Sequence, residues 1–140
     1  MSESRTLAVF IALGAIGGVL SVVIPYLAIH GYSGPHEYTA PLFPLLRNAW
    51  EKLHPIPTGL ILLVGGGILG FVRPKKWLVL GSSTILLFPL AAFLEMLKDP
   101  GSHNLWPFEF VFYIVLVGGP GLLGALLGSI IGSIQKKQAT

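Results

Sequence analysis

The chain has 140 residues, 53% of them hydrophobic and 11% charged, with a net charge of +3. Soluble domains carry about 25% charged residues, so this composition, with a mean hydropathy of +0.77, indicates a single integral membrane domain over residues 1–140. Without cysteine, disulfides, thiolate metal sites and thiol catalysis are excluded, and the few positive charges set orientation in a membrane rather than forming a nucleic-acid surface.

The expected fold class is all-α, with four transmembrane helices and a short interfacial amphipathic helix in the first long connection. The first apolar run covers about residues 6–29. It is longer than the ~7–15 residue core of a secretory signal, and no small-residue cleavage pattern follows it. It therefore reads as a retained helix.

The connection after it, His30 to Ile56, is too long for a turn. Within Pro41 to Leu53, the residues Leu42, Phe43, Leu46, Trp50 and Leu53 recur at helical spacing, while Arg47, Asn48, Glu51 and Lys52 take the other side. Such a helix either lies in the membrane interface, the favoured reading, or caps the bundle and closes a cavity.

The second span is expected over about residues 57–72, close to the shortest length that crosses a ~30 Å core. Pro57 suits its first turn, and Arg73-Pro74 ends it. The third span runs over about residues 77–97 and the fourth over about 108–134. Pro25, Pro89 and Pro120 fall inside spans, and Gly118-Gly119-Pro120-Gly121 is the most severe interruption. The expectation there is a kink that the bundle accommodates.

Lysine and arginine divide unequally between the two faces. Arg5, Arg73, Lys75, Lys76, Lys136 and Lys137 share one; Arg47, Lys52 and Lys98 share the other. By the positive-inside rule, both termini are cytoplasmic, in a plasma or inner membrane. All four histidines and five of the six carboxylates then face outward.

Glycines recur four apart. Gly14 and Gly18 lie in the first span, Gly66 and Gly70 in the second, and Gly124, Gly128 and Gly132 in the fourth, as in a glycine zipper. Small residues at this spacing form smooth helix faces where another backbone approaches closely. Packing within the bundle is the first expectation, and packing between subunits the second.

The densest polar chemistry lies between the third and fourth spans. Glu95 is an ionisable residue inside an apolar run, and Asp99 follows four residues later, on the same face if the helix continues. Asp99-Pro100-Gly101-Ser102 has turn character that would fold His103 back toward both carboxylates. Glu109 stands at the start of the next helix, and His54 is the most plausible companion from the first connection, ahead of His36. Oxygen and imidazole ligands of this kind suit Zn, Mn or Fe(II), so Glu95, Asp99 and His103 are the expected ligands if a divalent metal is the cofactor. Each residue also has a structural role available. Glu95 can pair with Lys98, Asp99 can open the turn, Asn104 can cap the next helix and Glu109 can favour its dipole. His30 and His36 stand in Gly-flanked sequence and add little, and the His30–His54 spacing is not diagnostic of haem or quinone ligation. Ser82, Ser83 and Thr84 are expected to bond within the bundle.

Three functional readings are open. The leading one is a non-enzymatic subunit or binding module, surrounded by membrane lipid, whose glycine faces pack against a second copy in a homo-oligomer or against a larger membrane complex. The second is an outer-face site for a metal or lipid-like substrate on Glu95, Asp99 and His103, with Glu95 as base if it is catalytic. The third is a small homo-oligomeric transporter.

Overall fold

The computed structural model describes residues 3–31, 42–100 and 106–138. Among these residues the protein is all-α, with no strand. Four helical stretches are long and apolar enough to cross a membrane: Glu3–His30, Pro55–Val72, Pro74–Lys98 and Pro107–Gln138.

The first stretch is one helix, α1 (Glu3–His30). Pro25 lies inside it without breaking it. It stops where Gly31 adopts φ +67° and donates its N–H to the Leu27 carbonyl at 3.0 Å. That left-handed stop suits glycine, which has no Cβ to clash. The amphipathic segment forms α2 (Pro44–Glu51), and α3 (Pro55–Val72) follows. Two prolines in the first turn of α3 cost nothing, because N–H groups there have no helical acceptor. Its 18 residues reach about 27 Å, and Pro74 stops it at Arg73. A single 3₁₀ turn, Pro74–Lys76, then leads into the third stretch.

The third stretch is not one helix, as its apolar run suggests, but two: α4 (Trp77–Ser83) and α5 (Leu87–Lys98). Pro89 has no N–H to give the Ile85 carbonyl, and Phe88 N–H fills that role from one residue nearer, at 3.2 Å. Thr84, Ile85 and Leu86 are likewise bonded three residues back, so the chain tightens through the joint. The fourth stretch solves its proline the opposite way. Between α6 (Trp106–Phe112) and α7 (Gly119–Gln138), residues Tyr113–Gly118 widen into a π turn. Gly119 N–H reaches back five residues to the Ile114 carbonyl. The wider turn makes room for the Pro120 ring, which would press on the carbonyl four residues earlier in an α-helix.

The inside of the bundle is built from small residues and the outside from large apolar ones. The most extensive pair is α3 against α7. A methyl group at Gly70 would overlap the Ala125 carbonyl, one at Gly66 the Gly121 carbonyl, and one at Gly128 the Gly67 carbonyl. Gly124 sits against the Leu63 carbonyl and Gly132 against that of Phe71. On α1, a methyl group at Gly14 would overlap the Ser83 hydroxyl and one at Gly18 the Thr84 carbonyl. All seven predicted packing glycines are thus buried against neighbouring helices of the same chain. Val9, Leu13, Ile16 and Leu20 on α1, and Leu60, Val64 and Ile68 on α3, face outward. That inversion suits a lipid solvent, where association depends on close backbone packing and not on burial of large apolar groups.

The larger core side chains gather nearer α2. Val22, Val23, Tyr26, Ala49, Leu62, Phe88, Tyr113 and Val117 form one cluster, with Leu45, Leu46, Trp50 and Leu53 packed on it. The apolar side of α2 therefore lies on the bundle, which takes the capping alternative for this segment. With 8 residues, α2 is far below the ~12–15 at which an isolated helix is even marginal in water. Docking is what holds it.

Candidate functional site

The site begins with a missing cap. Phe43 precedes α2 and has no side-chain oxygen to receive the first N–H groups, and Leu46, three residues on, cannot reach back as a Glu would. Glu95 fills that role from α5: its Oε1 accepts the Phe43 N–H at 3.3 Å. A carboxylate also suits the positive end of a helix. Glu95 is one turn from the end of α5 and only 7% exposed.

Beside this contact is a cleft of about 120 Å³. From α2 it is lined by Phe43, Leu46, Arg47, Trp50 and Glu51; from α5 by Phe88, Ala91, Ala92 and Glu95; and beyond them by Glu109 and Tyr113. Its aromatic wall is a triangle. Trp50 meets Tyr113 edge-on at 4.5 Å between centroids, Trp50 lies 5.7 Å from Phe88, and Phe88 lies 5.4 Å from Tyr113. Three carboxylates and one guanidinium line the cleft, a formal charge of −2. Arg47 Nε donates to Glu51 Oε1 at 3.0 Å, an exposed pair on the outer turn of α2. Glu95 and Glu109 line the cleft together with the three rings.

Of the predicted site residues, Glu95 and Glu109 come together at this cleft. Asp99 does not follow Glu95 along a helix face, because α5 ends at Lys98. Asp99 takes extended backbone (φ −137°, ψ 97°) and is exposed, with its N–H on the Glu95 carbonyl at 2.8 Å. His103, Asn104 and His36 lie outside the described residues. Among the described residues no three His, Asp or Glu stand close enough together to hold a metal.

His54 is not at the cleft. It is the N-cap residue of α3, and its Nε2 lies 3.2 Å from Nε2 of His30, the last residue of α1. His30, set aside on sequence because glycine follows it, is therefore held at a helix end and engaged. The hydroxyls of Ser83 and Thr84 donate to the Leu80 and Gly81 carbonyls at 2.6 and 2.8 Å, within their own turn, as expected of membrane hydroxyls.

At the opposite end, Arg73, Lys75, Lys76, Lys136 and Lys137 share a cleft of about 390 Å³ with Glu3. The start of α1, the α3–α4 turn and the end of α7 thus lie together.

Sequence reasoning missed Phe88 and Tyr113 as parts of the site and placed Trp50 at the interface. The available signal was the alignment of Leu46, Trp50 and Leu53 on one side of α2, which is the side that meets them. No family model, curated protein or solved structure matches the chain.

Proposed function

We propose that the protein is a non-enzymatic membrane binding module whose α2 cleft receives the cationic head of a small amphiphile, a lipid-like amine or quaternary ammonium ion. One observation carries this reading: a buried carboxylate, Glu95, and a second, Glu109, line a concave aromatic wall of Trp50, Phe88 and Tyr113. Ring faces attract cations by about 0.5–2 kcal/mol, more when water is excluded. Carboxylates supply the countercharge, and the apolar tail would lie along the lipid-facing helices.

In this reading the cleft faces outward and both termini are cytoplasmic, in a plasma or inner membrane. The six-to-three division of Lys and Arg supports that orientation, as does the gathering of five basic residues at the far end. The glycine faces serve the bundle itself, which leaves ligand binding as the better supported activity than assembly through those faces.

The test is titration of the purified protein with hexyltrimethylammonium, hexanol and hexyl sulfate, followed by tryptophan fluorescence. Saturable binding of the cation alone, lost in Glu95→Gln, is the expected result. Equal response to all three amphiphiles would overturn the reading.

A further inference from the structure

His30 and His54 are the two ends of the connection that carries α2. Their Nε2 atoms are 3.2 Å apart while their ring centroids are 5.3 Å apart, with planes 25° from parallel. The centroid separation exceeds the nitrogen separation by 2.1 Å (5.3 less 3.2), so the rings approach each other through their Nε2 ends.

Each ring stands on a fixed base. His30 is the last residue of α1, closed by the left-handed Gly31, and packs 5.3 Å from the ring of buried Tyr26 one turn earlier. His54 is held by Pro55, which starts α3. The pair is reachable from water, since His30 is exposed and His54 half-buried.

Two nitrogens of a tetrahedral zinc site, with bonds of about 2.0–2.1 Å, stand about 3.3–3.4 Å apart. The observed separation differs from that by a tenth or two of an ångström, which exposed rings can absorb. Imidazole is the ligand type suited to Zn²⁺, Cu²⁺ or Ni²⁺. We propose that His30 and His54 form a two-histidine site for a borderline divalent cation such as zinc, with water in the remaining positions.

In the metal-free pair one Nε2 carries the hydrogen and the other accepts it. Binding needs both lone pairs, so the donor ring moves its proton to Nδ1, and no net proton leaves a neutral pair. The bound ion would tie the end of α1 to the start of α3 and close the connection between them. Clips across long connections reduce the freedom of the open chain, so the ion would stabilise the folded protein. The site stands on its own geometry and does not depend on the cationic ligand proposed above.

The experiment is calorimetric titration of the tag-free chain in detergent with Zn²⁺, compared with His30→Gln, His54→Gln, His36→Gln, His103→Gln and Glu95→Gln. One zinc per chain is expected, lost in the first two variants and kept in Glu95→Gln. Zinc binding of wild-type strength in a His30→Gln/His54→Gln double variant would overturn the proposal, as would no binding by the wild type. Should the variants fail to fold, the ring Cε1–H resonances of the wild type decide. Both His30 and His54 must shift on zinc addition, and a response confined to other histidines refutes the site.

Discussion

Glu95 Oε1 accepts the backbone N–H of Phe43 at 3.3 Å, so a carboxylate from α5 completes the N-terminus of α2, which its own sequence leaves uncapped. Hydrogen bonds to charged groups are worth about 1.5–3 kcal/mol. Glu95→Ala is therefore expected to lower unfolding stability in detergent by about that amount. Glu95→Gln keeps an acceptor oxygen of the same reach and loses less. Wild-type midpoints for both variants would mean that the contact holds nothing.

The Trp50 ring joins α2 to the bundle through Phe88 and Tyr113. Truncating a fully buried Trp costs about 3–5 kcal/mol, and a half-buried one less. Trp50→Ala should leave the four spans in place and release α2. The circular dichroism loss then corresponds to the 8 residues of α2, and limited proteolysis gains a cut within 42–53. A resistant connection would show that α2 is held by other contacts.

Much of this architecture is legible in the sequence because lipid and water sort residues so strongly. Four apolar runs, the Arg73-Pro74 stop and the amphipathic side of residues 42–53 all follow from that sorting. The break at Thr84–Leu86 was less so. Pro89 announces a missing N–H, but only the packing decides whether the helix kinks, tightens or widens, and Pro120 takes the widening route instead. The destination of Trp50 was hidden for a similar reason. An amphipathic helix looks the same whether its apolar side meets lipid or a bundle end, and Glu95, the residue that docks it, is 52 positions from Phe43. His30 and His54 can be assigned to one face by counting spans, but a 3.2 Å approach is a property of how α1 and α3 cross.

The glycines separate into two groups that a single substitution distinguishes. Gly70 and Gly128 face backbone carbonyls of Ala125 and Gly67, which cannot rotate away. Gly65 and Gly17 have nothing within 4 Å of an added Cβ. Gly70→Ala and Gly128→Ala should each force α3 and α7 apart, at a cost of about 1–3 kcal/mol typical of overpacking. Gly65→Ala and Gly17→Ala should be neutral or stabilising by up to about 1 kcal/mol from helix propensity. Unfolding by sodium dodecyl sulfate in mixed micelles measures all four, and equal effects would contradict the packing.

The proposed orientation can be read with one reagent, because the chain has no cysteine of its own. Lys52 follows α2 at the cleft end, while Lys75 lines the basic cleft at the other. Both residues are exposed, so a cysteine at either position disturbs little. In intact cells, a membrane-impermeant maleimide should label Lys52→Cys and leave Lys75→Cys unlabelled until the membrane is permeabilised. The physical reason is the positive-inside bias: the compact Arg73-Pro74-Lys75-Lys76 turn carries three charges in four residues, hard to carry across the bilayer. The reverse labelling pattern would place the Glu95 cleft on the cytoplasmic side. It would also give the His30–His54 pair a cytoplasmic, not an external, source of metal.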